Sequence, residues 1–155
     1  MPKLHEVIET PLPSDVAFPF VADFANSSRW DPGVASSERL DGGPVGVGSR
    51  YRLQVRMGGR VSPMEYRITV LEPNRRVILA GTGSGVSAVD EIRFEPSGSG
   101  THIDYTADIR LGGLLRLATP FLGGAFRKVA KDALAGMQRT LDAMAAGRST
   151  DSAES

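Results

Sequence analysis

The chain has 155 residues, 41% of them hydrophobic and 6% aromatic, the size and composition of one globular domain rather than of a disordered or membrane-embedded chain. Eighteen basic residues balance eighteen acidic ones, so no global field draws nucleic acid, although Arg50, Arg52, Arg56 and Arg60 form a local basic stretch. The absence of cysteine excludes disulfides, thiol nucleophiles and thiolate metal sites, and agrees with a reducing compartment.

The segment from Lys3 to Thr10, with Val7 and Ile8, reads as a first strand that stops at Pro11 and Pro13. Ser14 is placed to cap a helix over Ser14 to Ala25, with Val16, Phe20, Val21 and Phe24 near one face and Pro19 kinking or shortening it. From Val34 to Tyr105 the pattern turns to period two. Tyr51, Leu53, Val55 and Met57 alternate with Arg50, Arg52, Gln54 and Arg56; Met64, Tyr66, Ile68 and Val70 alternate with Glu65, Arg67 and Thr69. Ala88, Ile92 and Phe94 repeat the alternation, as do Ile103, Tyr105, Ala107 and Ile109. Turn signals at Asp41-Gly42-Gly43-Pro44, Gly58-Gly59, Pro73-Asn74, Gly83-Ser84-Gly85 and Pro96 to Gly100 are short enough for hairpins, so the strands are expected to be antiparallel.

From Thr119-Pro120 to about Met144 the apolar residues Leu122, Phe126, Val129, Ala133, Met137, Leu141 and Met144 advance by threes and fours, with Arg127, Lys128, Lys131, Gln138, Arg139 and Asp142 opposite. This is one long helix, roughly 35 to 40 Å, able to cross a sheet of about six or seven strands but not to seal it. Gly123-Gly124 in its first turns either leaves room for a ligand or marks a break after a short helix at Leu114 to Ala118. The fold class is α+β: a curved antiparallel sheet of six to seven strands around a long C-terminal helix. Residues 1–146 are expected to form one domain, and 147–155, rich in Ser, Asp and Glu, a disordered tail. The N-terminus lacks an apolar signal core, and no apolar run approaches the ~20 residues that span a bilayer. A cytoplasmic protein without integral membrane association is expected.

Thr10-Pro11-Leu12-Pro13, then Val16, Phe20, Asp23, Phe24 and Trp30-Asp31-Pro32, together with Phe94-Glu95-Pro96 followed by Gly98, Gly100 and Thr101, resemble the START-related superfamily of polyketide cyclases, dehydrases and lipid-transport proteins. The resemblance covers Glu6 to Leu141. It implies a helix-grip fold with two short helices after the first strand, a tryptophan near the cavity mouth, and a largely apolar pocket between sheet and C-terminal helix. Pro19 departs from the usual first helix of that family.

Strand parity turns Tyr51, Tyr66, Asp90 and Tyr105 inward with the aliphatic residues. Asp90 is the odd member: a carboxylate in an apolar setting must be paired, hydrogen-bonded or protonated, and a neighbouring tyrosine could satisfy it. It is either a polar anchor or general acid/base inside the pocket, with Tyr66 and Tyr105 as its partners, or a residue at the sheet rim that binds water or an arginine. The tyrosines are either packing residues with satisfied hydroxyls or pocket walls. Trp30 is read both as an apolar lid and as a core plug. The ligand-lining set is Trp30, Tyr51, Leu53, Val55, Tyr66, Ile68, Asp90, Ile92, Tyr105, Ala107, Leu122, Phe126 and Val129.

Other motifs fail on context. Gly43 to Gly48 has the glycine spacing of a phosphate loop, but Ser49-Arg50 replaces its Lys-Ser/Thr pair and a strand follows. Gly81, Gly83 and Gly85 are explained by a hairpin, and Gly83-Ser84-Gly85 is a turn rather than a nucleophile elbow. His5 and His102 lie far apart in sequence, with His102 beside Asp104 on the outer parity, so no metal is expected; nor is a nucleotide or other cofactor. The leading expectation is a carrier or sensor that binds a hydrophobic small molecule. The alternative is a cofactor-independent cyclase or dehydrase using Asp90 and a tyrosine. A third is a protein-interaction module, and an open sheet edge would admit a homodimer.

Overall fold

In the computed structural model the backbone is described for residues 3–57 and 59–154, and the side chains for these residues other than 57, 114, 115, 118–123 and 149–154. The chain runs β1 (Lys3–Thr10), α1 (Ser14–Ala22), a 3₁₀ turn (Phe24–Asn26), α2 (Ser27–Trp30), β2 (Val34–Arg39), β3 (Arg50–Met57), β4 (Arg60–Glu72), β5 (Arg76–Gly83), β6 (Val86–Ser97), β7 (Gly100–Leu111), a second 3₁₀ turn (Gly113–Ala118) and α3 (Thr119–Glu154). The strands form one seven-stranded antiparallel sheet in the order β1-β7-β6-β5-β4-β3-β2. It curls as a half-barrel about α3, so the α+β helix-grip architecture is present with its two short helices after β1.

Period-two sequence becomes a two-faced sheet. On β6, Val86, Ala88, Asp90, Ile92 and Phe94 are buried while their neighbours face outward. On β4 the alternation holds through Met64, Tyr66 and Ile68, then breaks. A bulge between Ile68 and Val70 shifts the register, and Leu71, opposite the buried Val77, packs on the core in place of Val70. Gly81 and Gly83 also differ from expectation: both lie within β5, and only Ser84-Gly85 forms the turn. A Cβ at Gly81 would sit 2.5 Å from Tyr66 Cε1, so the missing side chain is what admits the Tyr66 ring.

The region after β1 is more broken than its periodicity implies. Ser14 does not cap α1; its hydroxyl pairs with that of Thr101 at 2.9 Å, and Pro13 occupies the cap position. Pro19 lies inside α1, which ends at Ala22, and the buried face is Ala17, Phe18, Val21 and Ala22 rather than one led by Val16 and Phe20. Phe18 meets Phe94 edge to face at 5.1 Å between centroids. Both sheet edges carry contacts: Gln138 of α3 donates to the Glu9 carbonyl of β1 at 2.8 Å, and Ser37 of β2 donates to the Ala25 carbonyl at 2.7 Å.

Gly123-Gly124 lies within α3, while the Leu114 to Ala118 segment falls in the preceding 3₁₀ turn. The helix continues past Met144 and Ala146 to Glu154, where a disordered tail over 147–155 was expected; the backbone keeps helical hydrogen bonding although Ala146, Gly147 and Arg148 are exposed. No helix among the described residues is long and apolar enough to cross a membrane.

Candidate functional site

Between the inner face of the sheet and the first half of α3 lies a cavity of about 500 Å³, within the range of small-molecule pockets. The sheet contributes Leu4 from β1, Val34 from β2, Leu53 and Val55 from β3, Met64 and Tyr66 from β4, Val86, Ala88 and Asp90 from β6, and Tyr105, Ala107 and Ile109 from β7. Phe24, Ser27, Trp30 and Asp31 close it from the short helices, and Ala125, Phe126, Val129, Ala130, Ala133 and Leu134 close it from α3. The space exists because so many of these positions are alanine: Ala88 and Ala107 on the sheet face Ala125, Ala130 and Ala133 on the helix.

Of the residues expected to line a pocket, Trp30, Leu53, Val55, Tyr66, Asp90, Tyr105, Ala107, Phe126 and Val129 do so. Tyr51, Ile68 and Ile92 do not. They have the inward parity, but all three are wholly buried in the packed part of the core, because facing inward is not the same as facing a void. The side chain of Leu122 lies outside the described residues. Sequence reasoning missed Asp31, and also Glu6, Ser27 and Arg56 at the wall. Asp31 sits in a turn without periodicity, and its only signal is its place in Trp30-Asp31-Pro32.

Asp90 is 6% exposed and has no cationic partner among the described residues. Its Oδ2 accepts the Tyr105 hydroxyl at 2.5 Å. The register explains the pairing: Asp90 stands opposite Ala107, so Tyr105 reaches it on the diagonal past a side chain too small to intervene. Burial raises the Asp90 carboxyl from 3.8 to about 6, against the lowering by the Tyr105 hydrogen bond and with a further push from Asp31. Tyr105 is itself held well above the ordinary phenol value, by burial first and then by the charge and hydrogen bond of Asp90.

Asp31 behaves similarly. Its Oδ1 accepts the Gly33 N–H at 2.8 Å, closing an Asx turn after α2. Burial raises its carboxyl to about 6, opposed by that bond and assisted by Asp132. Tyr66 is pushed well above its ordinary value by burial and then by both Asp90 and Asp31, which places all three groups in one electrostatic neighbourhood. Tyr51 is a contrast: burial, then the charge of Asp23, raises it to about 12 on the packed side.

Trp30 is 3% exposed and lines the cavity. Its ring meets Phe24 at 6.2 Å and Tyr105 at 6.4 Å, and Phe24 meets Tyr66 at 5.3 Å, giving a continuous run of aromatic edges. Gly136 of α3 lies so close to the Trp30 carbonyl that a Cβ there would collide with its oxygen. The Trp30 Nε1–H is buried without a hydrogen-bond partner. The histidines stand apart from the cavity: His5 pairs with Asp104 at 2.8 Å and His102 with Glu9 at 3.2 Å, so Asp104 serves His5 rather than the neighbouring His102.

The architecture is a seven-stranded sheet gripping one long helix over an apolar cavity, and the comparisons give its family. Residues 1–142 match the family described as polyketide cyclase / dehydrase and lipid transport, and the chain belongs to that family. No curated protein matches. Among solved structures, a Thermus thermophilus protein has a TM-score of 0.75 at 17% identity, with 92% of this chain and 99% of that one covered. A START superfamily protein from Mycobacterium smegmatis has a TM-score of 0.71 at 16% identity, covering 92% of this chain and 95% of that one. The Zhui aromatase/cyclase from a Streptomyces species has a TM-score of 0.71 at 16% identity, covering 90% and 93%. At these identities the likeness is one of fold.

Proposed function

We propose that the protein binds a hydrophobic small molecule, such as a lipid or a polyketide, in the cavity between the sheet and α3, as a carrier or sensor. The single observation that supports this most is the cavity itself: about 500 Å³ of space walled mainly by aliphatic and aromatic side chains, in which apolar burial supplies affinity. Asp90 and Tyr105, bonded to each other, are the polar anchor that fixes orientation. The test is to denature the purified protein, extract it with organic solvent and compare its mass spectrum with that of a control preparation. A stoichiometric hydrophobe supports the reading. An empty extract, with no response of Trp30 fluorescence to a panel of lipids and polyketides, counts against it and favours a protein-interaction module.

A second reading, a cyclase or dehydrase, is favoured by the near-neutral Asp90 carboxyl beside two phenols. Asp90 would take a proton from carbon next to a substrate carbonyl, Tyr66 would hydrogen-bond the carbonyl oxygen, and the proton would return to the departing hydroxyl to give water. Asp90→Asn separates the two: a carrier retains binding with modest loss, whereas an enzyme still binds and loses turnover.

A further inference from the structure

The polar groups of the cavity are unbalanced in sign. Asp31 and Asp90 lie on the wall, Glu6 joins them from β1, and none of the three forms an ion pair among the described residues. The one basic side chain at the wall, Arg56, directs its Nε to the Pro32 carbonyl at 3.1 Å. Around the carboxyls stands the aromatic run Tyr66, Phe24, Trp30 and Tyr105, whose π faces attract a cation and whose apolar bulk shields it from water. An ionised carboxylate in such a setting is poorly solvated, and a ligand cation would repair that deficit.

Resting on the ligand-binding reading above, we propose that the cavity selects, among apolar molecules, those that carry a protonated amine, held by Asp31 and Asp90 beside the aromatic run of Tyr66, Phe24, Trp30 and Tyr105.

The probes are a matched pair with one apolar body, pyrenylmethylamine and pyrenylmethanol, titrated calorimetrically into the full chain at about pH 8 and about pH 5. The amine stays protonated at both. At the higher pH it should bind ~10-fold or more tightly than the alcohol, a charge-assisted hydrogen bond in an apolar site being far stronger than a neutral one. At the lower pH the preference should shrink, because Asp31 and Asp90 take up protons about pH 6. The other titratable or charged groups at the wall are Glu6, Tyr66, Tyr105 and Arg56, with Asp132 acting on Asp31 from α3; the raised tyrosines stay neutral throughout. Asp31→Asn and Asp90→Asn should each cut the preference at the higher pH, and the wild-type comparison stands even where a variant fails to fold. Equal binding of amine and alcohol overturns the inference and leaves the cavity reading intact. A preference that survives both variants and low pH overturns the assignment to these carboxyls. Binding of neither probe counts against the cavity reading and the inference together.

Discussion

Two successive stretches of α3, residues 124–130 and 133–141, carry the same apolar spacing and lie differently on the sheet. Ala133, Leu134, Met137 and Leu141 are buried, whereas Phe126 is only partly covered and Val129 is 49% exposed. The downstream stretch is anchored: Gly136 rests on the Trp30 carbonyl, Thr140 donates to the Arg29 carbonyl at 3.3 Å, and Gln138 reaches β1. In the upstream stretch Ala125, Phe126, Val129 and Ala130 border the cavity together with Ala88 and Ala107 of the sheet. Helical periodicity therefore marks which side of a helix is apolar, but the size of the facing residues decides whether that side meets a core or a cavity.

The largest difference between the two stretches should appear on truncation. Met137→Ala is expected to lower stability by about 2–5 kcal/mol in denaturant unfolding, as loss of a wholly buried side chain does. A loss under about 1 kcal/mol would show that the downstream stretch is as loosely packed as the upstream one.

Next comes the wall of the cavity, where a charge stands in place of packing. The folded state raises Asp90 from 3.8 to about 6, so between those values it holds a proton that the unfolded chain has released. The contribution of this group to stability is therefore fully present below about 4 and is lost as pH rises from there through about 6, a change of about 3 kcal/mol. Asp31 adds a fall of the same sign. Asp90→Asn, still able to accept from Tyr105, should remove its share and leave the variant more stable than wild type at about pH 8, read as the unfolding midpoint across pH. A variant that follows the wild-type pH curve would mean that Asp90 is relieved by solvent or an ion.

A smaller effect is expected at the border of the two regions. Gly81→Ala drives a methyl against the Tyr66 ring and should lower stability by about 1–3 kcal/mol. The ring has the cavity to move into, so ligand affinity should fall as well. The smallest effect belongs to Val129→Ala, expected within about 0.5 kcal/mol in stability because the side chain is half exposed, yet detectable in ligand binding because it lines the cavity. Should Val129→Ala destabilise as much as Met137→Ala, the two stretches of α3 would be equally tightly packed.

Much of the fold was legible because β3, β6 and β7 keep an unbroken period of two, and parity alone turned Asp90 and Tyr105 to the same side. Their hydrogen bond depends on a register that parity does not contain. The bulge after Ile68 passes the core position from Val70 to Leu71, and nothing in Ile68-Thr69-Val70-Leu71 announces it. Asp31 escaped because a turn has no repeat to violate, so an acid there raises no alarm until the chain is folded. Tyr51, Ile68 and Ile92 were placed at the pocket because alternation gives the face of a strand but not the depth of what faces it. Gly81 looked like a turn residue and is a strand position emptied for a neighbour's ring.

The pairing of β1 with β7 has a consequence in time. Leu4 stands opposite Ala107 and Ile8 opposite Ile103, so the first strand has no partner until about a hundred residues later in the chain, and α3 in turn lies against β1. Contacts of such long range are formed slowly, with the loop between them already closed. The meander from β2 to β7 can assemble by local hairpins, but the chamber needs both the leading strand and the trailing helix to dock. The cavity wall is therefore complete only once both of these sequence-distant elements have docked. A ligand added during refolding should leave the early phase unchanged and accelerate nothing before the two sequence-distant elements have met.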